Sequence, residues 1–310
     1  MIVADFESAV SHIHHGCKQS REERISVKVK LLGTVQDGGV PHMGCSCELC
    51  ESARKNCKNR MYVAALMLKE CGEEYSTRYL IDATPDIRYQ IGGGMLDGVF
   101  LSHGHLGHIA GLPFFGRESM DTDNLSVYCT ADMKEYIMNN EPFKLLAERG
   151  HIRLHETRDG ERIKIISKSK SESGFESGSG SGSGSVEFRQ VAHRCLNTDT
   201  VSFMIRGSKR TLYYLSDIDE WTENALDNVR AADIAIVDGT FYDRDEIDRY
   251  DEVPHPCIRK TIELTEDFET DIKFTHLNHT NPALRKDSQE RREIQNRGFQ
   301  VVKTGMEITL

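Results

Sequence analysis

Three histidines fall within six residues in the stretch GVFLSHGHLGHIAGLP (98–113), directly behind the apolar run Val99, Phe100 and Leu101. Neutral imidazole is the commonest protein ligand for a divalent metal. In an extended segment residues two apart face the same side, so His103 and His105 can aim at one point, and a following turn brings His108 round. Gly107 stands between them and offers no donor. More potential donors end later apolar runs: His193 after FRQVA, Asp217 after TLYYLS and His276 after IKFT. This set of histidines and one carboxylate suits one or two divalent ions, with Asp217 as the natural bridge because a carboxylate has two oxygens. Taken singly, His193 also reads as a core histidine, and Asp217 as a turn residue or helix N-cap ahead of IDEWTENAL.

A second constellation is independent of the first. GCSCELC places Cys45, Cys47 and Cys50 in a C-x-C-x-x-C cluster, which can wrap a tetrahedral zinc but needs a fourth ligand. Reduced structural or redox thiols are the other reading. Cys57, Cys71, Cys129, Cys195 and Cys257 show no such spacing and read as packed or free thiols. The nine cysteines are an odd number, so they cannot form a complete disulfide framework, and a reducing, cytoplasmic setting fits them better.

The elements that must position these residues alternate between short strands and helices. Strands are expected at ISVKVKLLGTV, MYVAALMLKE, RYLIDAT, GVFLSH and LSVYCT, then at VEFRQVAH, VSFMIR, TLYYLSD, ADIAIVDG and IKFTHLN. Helices are expected at ADMKEYIMNN, EWTENALDNVR and SQERREIQNRG. Each candidate ligand therefore stands just past a strand end, where layered α/β folds open a ligand crevice. The expected organisation is a flexible N-terminal extension (1–26) and a single α/β domain (27–310), interrupted by a disordered Ser/Gly-rich loop at about 167–187.

With 310 residues the chain can bury a sizeable core, and its formal charge of −10 argues against a nucleic-acid-binding surface. No apolar stretch approaches a membrane span, and the N-terminal segment carries acids where a secretion signal needs cationic and then apolar residues. A soluble protein with no membrane or nucleic-acid partner is expected; a homodimer is left open.

The order LIDATPD, SHGHLGH, VAH, SDID and THLNH resembles the five-motif series of the metallo-β-lactamase fold, a four-layer αβ/βα sandwich. LLGTVQDGGVPHMGCSCELC, DGTFYDRDEI, VPHP and THLNHTNPALR are closer still to the pyrroloquinoline-quinone biosynthesis protein B-like subgroup. The likeness runs from Val27 to Leu310 apart from the Ser/Gly tract. It implies that His103, His105 and His193 bind one ion, that His108 and His276 serve a second, and that Asp217 bridges. Asp82, in LIDATPD, matches the first-motif acid, which orients the histidine loop more often than it touches metal. The departure is Gly107, where the common motif His-x-His-x-Asp-His has its aspartate. The second position is thereby left with His108, His276, the shared Asp217 and solvent, which implies weaker binding there and makes a mononuclear site plausible. Asp238 and His255 are candidates for a replacement acid or base, and they read equally as a strand-end cap and a loop residue held between prolines. The resemblance extends to a cyclic phosphodiesterase of phosphonate degradation, whose three-cysteine cluster is completed by the second histidine of an H-x-x-H pair. In HLNH that residue is His279.

The expected function is a hydrolase that uses a metal-activated water on an ester, lactone or phosphodiester, cyclic phosphodiesters included, with Asp217, His255 and Asp238 as its catalytic set. The active-site metal is expected to be zinc, manganese or iron, beside a structural zinc. The alternative is an iron-dependent oxidoreductase or hydroxylase of the quinone-biosynthesis type, because histidines with carboxylate also suit non-haem iron. A non-catalytic metal-binding scaffold is a third possibility and predicts no open coordination position. Arg117 and Arg194 are candidates for meeting a small anionic substrate, or are simply surface charges.

Overall fold

The structure, a computed structural model, describes residues 26–71, 76–165, 184–195, 198–248 and 250–310. The expected N-terminal extension and Ser/Gly-rich loop lie outside the described residues except at their downstream ends. There the strands begin within one residue of expectation, one at Ser26 inside ISVKVKLLGTV and another at Ser185 just ahead of VEFRQVAH.

Two seven-stranded sheets make up the described fold. The first holds β1 (Ser26–Gly33), β2 (Ala65–Cys71), β3 (Tyr79–Ile81), β4 (Gly98–Phe100), β5 (Leu125–Cys129) and β6 (Ile152–Glu156), with the last strand β14 (Glu307–Thr309) beside β1. The second holds β7 (Arg162–Lys164), β8 (Ser185–Val191), β9 (Thr200–Arg206), β10 (Thr211–Leu215), β11 (Ile234–Asp238), β12 (Asp271–Thr275) and β13 (Gln300–Val301) in spatial sequence.

The period-two alternation of these strands builds the layers. Val27, Val29 and Leu31 of β1, Leu66 and Leu68 of β2, and Phe100 of β4 share one cluster with Phe188, Phe203, Tyr214 and Ile236 of the second sheet, so the two inner faces meet. The alternate residues point outward under helices. After α1 (Glu48–Lys55), α2 (Ile87–Gln90) and α3 (Leu106–Ile109), Met67, Val99 and Val127 lie beneath α4 (Ala131–Asn139) and α5 (Phe143–Glu148), and Tyr213, Leu215, Val237 and Phe274 beneath α6 (Glu223–Arg230), α7 (Ile258–Thr265) and α8 (Gln289–Asn296). This is the expected four-layer αβ/βα sandwich. No helix among the described residues is long and apolar enough to cross a membrane.

Strand direction gathers the chemistry at one end. In the first sheet β1 and β3 are both antiparallel to β2, and β4 is parallel to β3. In the second, β8 and β10 are both antiparallel to β9, and β10, β11 and β12 are parallel. Asp37, Asp82 and His103 follow the carboxyl ends of β1, β3 and β4, while His193, Asp217, Asp238 and His276 end or follow β8, β10, β11 and β12. His105 is the N-cap of the one-turn helix α3, and His108 lies within it.

Candidate metal centre

Two residues of the centre adopt left-handed backbone conformations that side chains rarely take, Asp82 with φ 65° and His276 with φ 59°. Such strain costs on the order of 1–3 kcal/mol and persists only where surrounding bonds over-determine it. They do so here. The Asp82 N–H donates to Phe100 O (2.9 Å), and its carboxylate accepts from Ser102 N (2.8 Å), Ser102 Oγ (2.9 Å) and His108 Nδ1 (2.8 Å). Asp82 thus orients the histidine segment, in the role that the resemblance implies.

The same device recurs around the centre. With its own hydrogen given to Asp82, Ser102 Oγ accepts from His103 Nδ1 (2.9 Å). His193 Nδ1 donates to Asp219 Oδ1 (2.8 Å), and His276 Nδ1 to Thr240 Oγ1 (3.0 Å), whose hydroxyl donates to Asp238 Oδ1 (2.7 Å). Four imidazoles are therefore fixed through Nδ1 and keep Nε2 for a ligand, the usual support for a metal-binding histidine.

Those nitrogens converge in two groups. His105 Nδ1 lies 3.0 Å from His103 Nε2 and 3.3 Å from His193 Nε2. Ligands about 2.0–2.1 Å from a tetrahedral zinc stand about 3.3 Å apart, so both of these separations match an edge of a coordination tetrahedron, and all three donors fall within 4.8 Å. In the second group His108 Nε2 and His276 Nε2 lie 3.3 Å and 3.5 Å from Asp37 Oδ1. Asp217 stands between the groups, with Oδ2 3.3 Å from His108 Nε2 and Oδ1 3.2 Å and 4.0 Å from the Nε2 atoms of His276 and His193. It is not a helix cap, since Thr222 caps α6.

The donor set fits divalent cations. His108 Nε2 and Asp217 Oδ2 are buried 3.3 Å apart without a well-formed hydrogen bond, a need that a shared cation would satisfy. Protonation divides the centre in the same way. Burial holds His103, His105 and His193 neutral, their pKa values below the usual imidazole range. For His108 and His276 burial pulls the same way but loses to the carboxylates, Asp217 foremost, so both are raised. Burial would raise Asp217, yet His276, His108, His103 and His193 hold it well below the carboxylate range.

Beside the centre, His255 is 5% exposed and its Nδ1 meets Asp238 Oδ2 at 2.6 Å. Its ring centroid is 5.6 Å from that of His193 and 6.0 Å from that of His276. Asp238 also accepts from Ile218 N (3.1 Å), which pins the backbone next to Asp217, so the strand-end cap and the histidine partner are one residue.

The sulfurs of Cys45, Cys47 and Cys50 gather within 4.8 Å of one another. Burial pushes the Cys50 thiol up to about 11, with the Cys47 and Cys45 side chains adding to it. His279 does not join them: its ring stacks on His42 at a centroid distance of 4.2 Å and its Nδ1 meets Asn278 Oδ1 at 3.0 Å. Arg194 is drawn into structure, with Nη1 on Asp219 Oδ1 (2.5 Å) and Pro254 O (2.8 Å), whereas Arg117 is exposed. A cavity of about 370 Å³ reaches the second group at Asp37 alone, and Arg54, Arg60, Tyr62, Asp86 and Tyr89 line the rest of it.

Sequence reasoning misses Asp37, Asp219 and Thr240. Asp219 and Thr240 each lie two residues beyond a recognised aspartate, and that spacing was a usable signal. Asp37 had a fainter one: a buried ligand set short of one carboxylate must find another, and Asp37 is followed by two glycines that permit close approach.

The sequence signature described as a beta-lactamase superfamily domain matches residues 77–305. Coenzyme PQQ synthesis protein B of Ruegeria pomeroyi is 26% identical over 305 residues, covering 92% of this chain and 100% of that protein. Among solved structures, zinc-bound PqqB from Methylobacterium extorquens has a TM-score of 0.75 at 22% identity over 91% of this chain and 100% of that one. A diphosphatase of the PhnP family has a TM-score of 0.66 at 20% identity over 92% and 98% of the two chains. With that signature spanning most of its length, on a two-sheet sandwich whose histidines converge at one end, the chain belongs to the beta-lactamase superfamily and carries the metallo-β-lactamase fold.

Proposed function

We propose that the protein is a metal-dependent hydrolase of a small anionic ester, lactone or phosphodiester, cyclic phosphodiesters included. The observation that carries this reading is the pair of donor groups joined at Asp217, which a cavity with Arg54 and Arg60 in its wall reaches at Asp37. When bound, divalent ions there lower the pKa of water and neutralise charge growing on a carbonyl or phosphoryl oxygen. The chain does the rest. Asp217 keeps its charge between the two groups, and Arg60 offers a planar, permanently charged fork to an anionic substrate, while Arg54 braces the wall beside it. Since His255 Nδ1 is engaged by Asp238, Nε2 is the nitrogen free to exchange a proton, and we assign to it protonation of the departing oxygen. The three thiols, in this reading, hold a structural zinc, with His279 or the neighbouring His42 swinging in as fourth ligand.

The PhnP-family diphosphatase among the structural neighbours supports hydrolysis at a phosphoryl centre, and the PQQ synthesis relatives are the reason to test the iron-dependent oxidative alternative beside it. The test is turnover of a chromogenic phosphodiester, a lactone and a carboxylic ester by protein loaded with zinc, manganese or ferrous iron. Hydrolysis with zinc or manganese under anaerobic conditions is expected. Oxygen uptake with iron and no hydrolysis would replace this reading with the oxidative one.

A further inference from the structure

The second donor group holds a carboxylate that the histidine motif does not supply. Asp37 comes from the loop after β1, outside the part of the chain that the superfamily signature matches, and its Oδ1 stands against His108 Nε2 and His276 Nε2. Gly107 makes room for it. A Cβ built on Gly107 would lie 2.1 Å from Asp37 Oδ1 and 2.3 Å from its carboxyl carbon, closer than any non-bonded contact permits. The space that a side chain at 107 would enter is thus already filled by a carboxylate from another element. His108 Nε2, 0% exposed and without a hydrogen bond, points at the same place. Asp37 has no other assigned work: among the described residues its carboxylate interacts with His108 and His276.

We propose that Asp37 is a direct ligand of a second divalent ion, with His108, His276 and Asp217, and that Gly107 is the matching vacancy, so that the carboxylate of this position has moved from the histidine segment to the β1 loop. The inference deepens the hydrolase reading and rests on its metal centre. It contradicts the expectation that Gly107 leaves the second position one ligand short. It also gives the cavity a metal-facing wall, because Asp37 lines that cavity too, beside Arg54 and Arg60.

The test is titration of metal-stripped full-length protein with Mn2+, which favours carboxylate and imidazole over thiolate, followed by elemental analysis and electron paramagnetic resonance. Wild type should take up two ions whose spectrum is that of a coupled pair about 3.5–4 Å apart. Asp37→Asn, nearly isosteric, should bind the first ion unchanged, bind the second at least ~10-fold more weakly, and lose the coupled signal. Gly107→Asp alone should lower Tm through the clash, while Asp37→Ala combined with Gly107→Asp should recover both Tm and the second ion. Asp37→Asn with two ions and an intact coupled spectrum would overturn the proposal and leave the hydrolase reading standing. A wild type that binds one ion at saturation also overturns it. A wild type that binds no ion at the histidines overturns both.

Discussion

At the scale of single residues, what separates a metal ligand from a packed histidine is the use of the second ring nitrogen. His103, His108, His193 and His276 each spend Nδ1 on a hydroxyl or carboxylate, which leaves their Nε2 atoms for the two donor groups. His105 differs. Its Nδ1 is the atom that meets both His103 and His193, so it closes the first group. His105→Ala should therefore remove one bound ion and lower kcat by at least ~100-fold, while the far-ultraviolet circular dichroism of wild type is retained; elemental analysis with a turnover assay decides it. The residue types and spacing of the histidine motif announced this group. They could not announce Asp37, which meets His276 across 239 positions of sequence, nor the meaning of Gly107, which only the built Cβ reveals.

At the scale of elements, the ten strands announced by alternating apolar residues are the interior strands, and the four that the alternation does not announce, β6, β7, β13 and β14, are the four sheet edges. Edges are kept short and charged, as in RIK of β7 and EIT of β14, because an apolar edge invites pairing with another chain. Helix α7, IRKTIELT, escapes for a different reason: its β-branched residues favour strands locally, and only burial of Ile258 and Ile262 against the second sheet settles it as helix. The loops obey their own constraints. Glu246 accepts from Tyr242 N (2.7 Å) and from the Thr280 hydroxyl, tying the loop after β11 to the one that carries His276 and His279. Burial raises its pKa from 4.5 to about 7. A raised carboxyl group binds its proton more tightly folded than unfolded, so this clamp costs nothing below pH 4.5 and weakens stability progressively up to pH 7. Glu246→Gln should flatten that loss, adding on the order of 2–3 kcal/mol at pH 8 relative to pH 4.5 in urea titrations, since the amide can still accept from Tyr242 N and donate to Thr280. In the cysteine loop, Arg54 binds the carbonyls of Cys45 (2.5 Å) and His42 (2.8 Å), so the thiols and one cavity wall share a brace. Cys47→Ser should release one equivalent of zinc and lower Tm by several degrees without loss of the Mn2+ pair at the histidines.

For the whole molecule, the centre is the seam between two sheets, with Asp37, Asp82, His103, His105 and His108 from the first and His193, Asp217, His255 and His276 from the second. Without metal, that seam is held by charge. His108 and His276, raised above the imidazole value of 6.5, face Asp217 and Asp37, lowered below the carboxylate value of 3.8. The lowered carboxylates contribute stability that is present above 3.8 and lost as pH falls through their folded values. The raised histidines contribute stability that is complete below 6.5 and lost as pH rises through theirs. His103, His105 and His193, held neutral, oppose folding only below 6.5. Metal-free protein should accordingly have its highest Tm near pH 6.5 and lose stability on both sides, more steeply than surface titration allows. Bound ions replace those protons, so in the loaded protein the loss on the alkaline side should vanish and affinity for metal should rise with pH. An ion at 1,000 times its Kd adds about 4 kcal/mol, enough to separate the two Tm curves clearly by calorimetry at pH 8. Parallel curves for the metal-free and loaded forms across pH 6 to 9 would mean that the seam is held by packing of the inner faces, and that protons and metal do not compete for His108 and His276.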